Sequence, residues 1–383
     1  KQSFIRTQLE WEFRTMDKIF QFEPNLGEEE KQELVSVIDS GWYTEAGKTR
    51  EFEKMFAEFV GRKFAVATTS GTAALCIAAQ GLGLTNNDKV IVPDMTFVAS
   101  PNSIVLAGAK VELVDIEKKN LCLDLDKTKA MVSKDTKAIM PVDFNGRAPD
   151  LVELKEFAEK SNLAIIEDSC HGIGSFHAGK HTGSYSDVGI FSFSTPKIIT
   201  TGQGGMLVTD DKELYEKFKM IKDFGRDMDK KHQMENAFDH VELGYNFKFT
   251  EFQAAVGIAQ MKKLPDRINH NKKMFQTYRE NLSRIDQIEF VDMDLKSSVP
   301  WFADILLPDE KIRQQLIEHL NNLGIGTRKF YPPIHKLTPY SKIQGNFDVS
   351  NEISERGLWL PSSSFLTDEQ IDQVCKNIKS FWN

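Results

Sequence analysis

The stretch Phe191-Ser192-Phe193-Ser194-Thr195-Pro196-Lys197 ends an apolar run on a lysine and continues through Ile198-Ile199-Thr200-Thr201 to the turn Gly202-Gln203-Gly204-Gly205. A lysine set directly after a strand and before a Gly-rich turn stands where its amine can be desolvated. Desolvation disfavours the ammonium, lowers its pKa and makes the amine a nucleophile toward an aldehyde. Once freed, the same amine can carry a proton between carbon atoms. A solvated loop lysine is the ordinary alternative.

Two further strand ends carry complementary groups. Ile165-Ile166-Glu167-Asp168-Ser169-Cys170-His171 ends an apolar run on a carboxylate pair. An Asp facing the ring nitrogen of a pyridine cofactor keeps that nitrogen protonated, so the ring accepts the electrons of a substrate carbanion. Asp168 could equally be a helix cap, and His171 a structural donor. Thr68-Thr69-Ser70-Gly71-Thr72 passes straight into Ala73-Ala74-Leu75. Small residues at a helix N-terminus let free N–H groups seat a phosphate, although Ser70 or Thr72 also suits simple capping.

The elements that must position these groups follow from periodicity. Short, nearly continuous apolar runs at Phe64–Thr68, Lys89–Val92, Val111–Asp115, Ala138–Val142, Ala164–Asp168, Val188–Phe193 and Gly205–Val208 alternate with helical patterns. This predicts a mainly parallel sheet covered on both faces, with ligands at the carboxyl ends of its strands. Helical spacing marks Leu26 to Ile38, and Phe52, Met55, Phe56 and Phe59 form one stripe. A long helical pattern from Thr250 to about Arg284 contains Pro265, expected to bend or break it. Phe302–Leu307, a helix Lys311–Leu323, Gly326–Tyr331 and a helix Asp368–Phe381 predict a smaller α+β unit. Residues 1–22 read as an irregular amphipathic helix.

Bulk properties exclude several classes. A net charge of −8 argues against a nucleic-acid partner. The four cysteines lack any CxxC pair, so neither a disulfide framework nor a metal site is expected, and a cytoplasmic location fits. No apolar stretch approaches a membrane span or a signal peptide core.

The order of six motifs resembles the DegT/DnrJ/EryC1/StrS family of sugar aminotransferases from about Pro24 to the C-terminus. They are Ser70-Gly71-Thr72, Pro93-Asp94-Met95-Thr96-Phe97, Glu167-Asp168, Phe191-Ser192-Phe193 with Lys197 and Gly204-Gly205, Leu243-Gly244-Tyr245-Asn246, and Arg328-Lys329-Phe330-Tyr331-Pro332-Pro333-Ile334-His335. The resemblance implies an α/β, aspartate-aminotransferase-like (type I) fold with a large mainly parallel-sheet domain and a smaller C-terminal α+β domain. The expected division is an N-terminal extension over 1–23, a cofactor-binding domain over 24–265 and a C-terminal domain over 266–383.

By position, the resemblance implies pyridoxal 5′-phosphate held as a Schiff base on Lys197, with Gly71, Thr72 and Ser192 on its phosphate. Asn246 would reach the phosphate site of the neighbouring subunit of a homodimer. Phe97 would stack on the ring, Asp168 would pair with its nitrogen, and His171 would stand near its hydroxyl. The corner carrying Tyr331 and His335, stiffened by Pro332-Pro333, would line the substrate site; an ordinary strand-to-loop corner is the alternative. Gln203 stands where the family often has Glu, and Lys248 where Arg commonly follows, which matters because Arg and Lys differ in geometry.

Relatives that act as sugar 3-dehydratases carry His at the lysine position, so Lys197 implies transamination. The expected reaction moves an amino group from L-glutamate to a nucleotide-linked keto sugar, with a 4-keto-6-deoxyhexose suggested by the Lys197–Gly202 stretch. A 3-keto sugar, a keto-inositol or another small ketone is the alternative acceptor. A regulatory protein binding without turnover would need a basic DNA-binding helix pair, and the sequence contains none.

Overall fold

The computed structural model describes residues 18–227 and 239–382. Most of the amphipathic stretch expected over residues 1–22 therefore lies outside the described residues. Lys18–Phe22 is not helical: Ile19 is buried and forms a parallel bridge with Ile325 of the C-terminal unit.

The seven apolar runs form one seven-stranded sheet. In chain order its strands are β1 Phe64–Thr68, β2 Lys89–Pro93, β3 Lys110–Val114, β4 Thr136–Ile139 and β5 Ala164–Asp168, and, after a small hairpin of β6 Phe176–His177 and β7 Lys180–His181, β8 Val188–Ser192 and β9 Gly205–Thr209. The spatial order is β1-β9-β8-β5-β4-β2-β3. Strand β9 runs antiparallel to both neighbours, β1 and β8, and the remaining pairs are parallel. Because β9 is reversed, the connection from β8 to β9 stays at the carboxyl end of the parallel strands. Lys197 lies on that connection, on the same edge as the ends of β1, β2 and β5.

Alternate residues of these strands enter opposite cores, as strand pleating requires. Val66, Ile190 and Leu207 pack on one face, whereas Ala65, Ala67, Phe191, Met206 and Val208 pack on the other. The predicted aromatic stripe sits on the helix Gly47–Val60. Phe56 meets Phe191 edge-on at 4.9 Å and Phe193 at 5.2 Å between ring centroids. Truncating such a fully buried Phe costs about 3–5 kcal/mol.

The smaller unit has a three-stranded antiparallel sheet, β10 Asp304–Leu306, β11 Arg328–Lys329 and β12 Gly357–Trp359, in the order β10-β12-β11. Helices Glu310–Asn322, Asp348–Arg356 and Asp368–Trp382 accompany it. Strand β12 shows little periodicity in the sequence because it is only three residues long.

The expected break at Pro265 is absent: one helix runs from Glu251 to Leu282 with Pro265 inside it. The expected division between 265 and 266 thus falls within a continuous element. Ala254, Ile258 and Leu264 belong to the core beneath the large sheet, and Met274, Phe275, Tyr278 and Leu282 to the core of the smaller unit. Burial on both sides of the proline outweighs the one backbone hydrogen bond it removes. A buried ion pair adds a second tie, with Arg147 Nη1 2.7 Å from Asp304 Oδ2. No described helix is long and apolar enough to cross a membrane.

Candidate active site

Strand β1 leads into the helix Gly71–Gly81, whose N-cap is Ser70; its hydroxyl oxygen accepts a hydrogen bond of 3.1 Å from Ala73 N. Ser70 does cap the helix, while Gly71 and Thr72 form its first turn and line a cavity of about 260 Å3. The first N–H groups of a helix lack partners within it and, with the dipole, favour an anion. Glycine is required for the close approach. A Cβ on Gly71 would lie 3.0 Å from Cβ of Ser192 and 3.2 Å from Sγ of Cys170, and one on Gly205 would lie 2.3 Å from the Ser70 carbonyl oxygen. Ser192, at the end of β8, and Ser194 bring their hydroxyls to the same wall, 3.3 Å apart.

Asp168 ends β5 and faces this cavity. Its Oδ2 accepts from Ser100 Oγ at 2.7 Å and its Oδ1 from Cys170 N at 3.2 Å, and Ser100 in turn contacts Thr96 Oγ1 at 2.9 Å. Glu167 turns the other way, as neighbours on a strand must. It accepts from the backbone N–H groups of Gly183 and Tyr185 at 2.5 and 3.2 Å. Of the carboxylate pair, only Asp168 lines the cavity.

Lys197 stands half-buried in the same cavity, and desolvation lowers its pKa to about 8, partly offset by Cys170 and Asp168. Its Nζ lies 4.2 Å from the ring centroid of Trp301. Burial, with Lys197 and Arg328 nearby, holds the His171 imidazole well below its ordinary pKa and therefore neutral. The imidazole stacks on Trp301 at 4.0 Å. Phe97 stands at the cavity wall with its ring half-exposed, 5.4 Å from that of Tyr331.

The structure thus brings Gly71, Thr72, Phe97, Asp168, His171, Ser192, Lys197 and Tyr331 around one space. It does not bring His335 there. That side chain turns from the cavity to the buried carboxylate of Asp94, which receives His335 N at 2.8 Å and lies 2.7 Å from Nδ1, and it stacks on Phe347 at 4.6 Å. Asn246 is exposed and also lies outside the wall of this chain's cavity.

Sequence reading missed Trp301 as a wall residue and Ser100 as the partner of Asp168 behind the wall, and it quoted Arg328 only as the start of the motif that ends at His335. Ser100 carries no sequence signal for that role: it lies in the first turn of the helix Ala99–Leu106, whereas Thr96 precedes that helix. Trp301 arrives by tertiary approach alone.

A helix N-terminus with two serine hydroxyls, a carboxylate, a desolvated amine and a half-exposed aromatic ring form a donor set that fits pyridoxal 5′-phosphate. They supply a seat for its phosphate, a partner for its ring nitrogen, an amine for its aldehyde and a face for its ring.

These are the features of a type I pyridoxal-phosphate aminotransferase fold. The chain belongs to the DegT/DnrJ/EryC1/StrS aminotransferase family, whose sequence model matches residues 24–379. It is 34% identical to the GDP-perosamine synthase of Vibrio cholerae over 94% of this chain and 98% of that one. Among solved structures it is similar to the aminotransferase TlmJ of Streptoalloteichus hindustanus, with TM-score 0.89 and 27% identity over 94% of this chain and 98% of that one. It is also similar to the Escherichia coli GDP-4-keto-6-deoxy-D-mannose-3-dehydratase with bound hydrated PLP, with TM-score 0.88 and 25% identity over 95% of this chain and 100% of that one.

Proposed function

We propose that this aminotransferase moves an amino group from L-glutamate to a nucleotide-linked keto sugar, giving an amino sugar and 2-oxoglutarate. The acceptor class we favour is a 4-keto-6-deoxyhexose, a reading supported by the likeness to a GDP-perosamine synthase. The observation that carries the reaction type is the desolvated Lys197 amine, sharing one cavity with Asp168 and the phosphate seat. A dehydratase shares the fold, so fold alone does not choose the reaction; the lysine favours transamination.

Pyridoxal phosphate, when bound, supplies an electron sink and a temporary carrier for the amino group. Gly71, Thr72 and Ser192 fix its phosphate, and Asp168, held by Ser100, keeps its ring nitrogen protonated. Phe97 covers one face of the ring, and neutral His171 offers a hydrogen bond without adding charge. Lys197, with a pKa near 8, takes a proton from Cα of the amino donor and returns it to the cofactor carbon. Arg328 adds a cation to the wall, suited to a substrate carboxylate or diphosphate. Tyr331 lines the acceptor side. The working unit we propose is a cytoplasmic homodimer in which Asn246 serves the partner's site.

The test is spectroscopic. The visible absorbance of the cofactor-loaded protein should bleach with L-glutamate and return on adding a keto sugar nucleotide from a panel of acceptors. No bleaching with glutamate would overturn the donor. Bleaching that no keto sugar nucleotide reverses, while another ketone does, would overturn the acceptor class.

A further inference from the structure

The carbonyls on either side of Lys197 are both held by buried donors. Trp301 Nε1 donates to the Pro196 oxygen at 2.6 Å, and Arg267 Nη1 donates to the Ile198 oxygen at 2.9 Å. The first of these also meets the lysine side chain, since Nζ lies over the same indole at 4.2 Å. The indole is 3% exposed and cannot swing away. Asn271 Nδ2 donates to the Pro300 oxygen at 2.9 Å, Phe302 N donates to Asn145 Oδ1 at 2.8 Å, and the Phe302 ring stacks on the indole at 3.9 Å. One rigid side chain of the smaller unit therefore fixes both the backbone before the lysine and the place of its amine.

We infer that Trp301 is a positioning residue for Lys197: its N–H sets the start of the lysine's backbone, and its ring face holds the amine at the point where it meets the cofactor aldehyde. The inference rests on the aminotransferase reading above. Capture joins Nζ to the aldehyde carbon, and the aldehyde oxygen leaves as water with the two protons of the neutral amine. Its rate depends on how often the amine occupies the attack position, and a displacement of about 1 Å can cost a hundredfold.

The experiment uses the full chain stripped of cofactor, with variants Trp301→Leu, which loses ring and N–H, and Trp301→Phe, which keeps a ring. Added pyridoxal phosphate is followed until it can be trapped on Lys197 by borohydride, with mass spectrometry locating the adduct. Pyridoxamine phosphate, which has no aldehyde, reports the seat alone by its dissociation constant. Capture should slow by roughly tenfold or more in Trp301→Leu and by less in Trp301→Phe, in each case by a larger factor than any weakening of pyridoxamine phosphate binding, since the indole also carries the His171 ring at 4.0 Å. With L-glutamate deuterated at Cα, the isotope effect on the first half-reaction should rise in the same order. Capture at the parent rate in both variants overturns the inference. So does weakening of pyridoxamine phosphate binding in parallel with capture, which marks a merely structural tryptophan. Should Trp301→Leu not fold, Trp301→Phe alone decides by the same two rates. Failure of the parent to capture the aldehyde at all would instead overturn the aminotransferase reading.

Discussion

Ser100, fully buried behind the cavity wall, donates its hydroxyl hydrogen to Oδ2 of Asp168 at 2.7 Å. A carboxylate so held keeps one orientation, with its remaining lone pairs free for the ring nitrogen of the cofactor. Asp168→Asn should lose most turnover, because a neutral amide no longer holds that nitrogen protonated. Ser100→Ala should lower kcat by roughly tenfold, the equivalent of about 1.5 kcal/mol for a hydrogen bond to a charged group. Steady-state rates of the two variants check this, and near-parent activity in Asp168→Asn would move the electron sink elsewhere.

Lys197 makes a prediction about stability as well as rate. Its folded pKa of about 8 lies below the ordinary 10.5, so between these values the unfolded chain binds the extra proton. Stability therefore rises with pH through that window. Stripped of cofactor, the parent should gain about 3 kcal/mol on Lys197→Met between about pH 7 and pH 10.5. Denaturant unfolding at a series of pH values measures the difference, and a pH-independent difference would mean that the amine is not desolvated. Lys197→Ala should abolish turnover with the fold intact.

Tyr331 and His335 share one corner yet should behave differently. Tyr331→Ala should slow the half-reaction with the keto sugar far more than that with L-glutamate, as single-turnover absorbance can show. His335→Ala leaves the buried Asp94 without its ring partner, so it should cost about 1–3 kcal/mol of stability while altering kcat little. A selective loss of the acceptor half-reaction in His335→Ala would place that imidazole in the site after all.

Asn246 gives a test of shared sites. Lys197→Ala and Asn246→Ala subunits, each impaired alone, should recover part of the activity when mixed. A hybrid dimer collects both lesions in one site and leaves the other intact. Demonstrated subunit exchange without recovery would confine Asn246 to its own chain.

Arg147 should matter for folding alone. Its guanidinium pairs with Asp304 out of solvent, joining the two units. Arg147→Met leaves an uncompensated buried charge and should cost about 3–5 kcal/mol, read as a lower denaturant midpoint.

The ends of β1, β5 and β8 are legible in the sequence because apolar runs stop at residues with distinctive chemistry, and an α/β sheet brings such ends to one edge. Gly71, Asp168 and Lys197 follow directly. The reversal of β9 leaves no such mark, since a strand buried on both faces has the same composition in either direction. Trp301 escapes notice for a different reason: it sits in an irregular segment before β10, where no periodicity tells which cavity an aromatic will enter. His335 misleads because a His in a stiff, aromatic corner suits a ligand and a buried carboxylate equally well, and Asp94 is 241 residues away in the chain. Pro265 misleads because local backbone preference yields to the packing on both sides of it.

The helix Glu251–Leu282 behaves as a strut. Its 32 residues span about 48 Å at 1.5 Å per residue. Arg267, near its midpoint, grips the carbonyl after Lys197, while its far end is buried in the smaller unit. A hinge between the two units would have to bend this element and drag the lysine loop with it. Substrate exchange at constant catalytic geometry therefore falls to side chains off the strut, foremost the half-exposed ring of Phe97. Rotamer changes of single side chains at the cavity mouth are faster than any domain rotation.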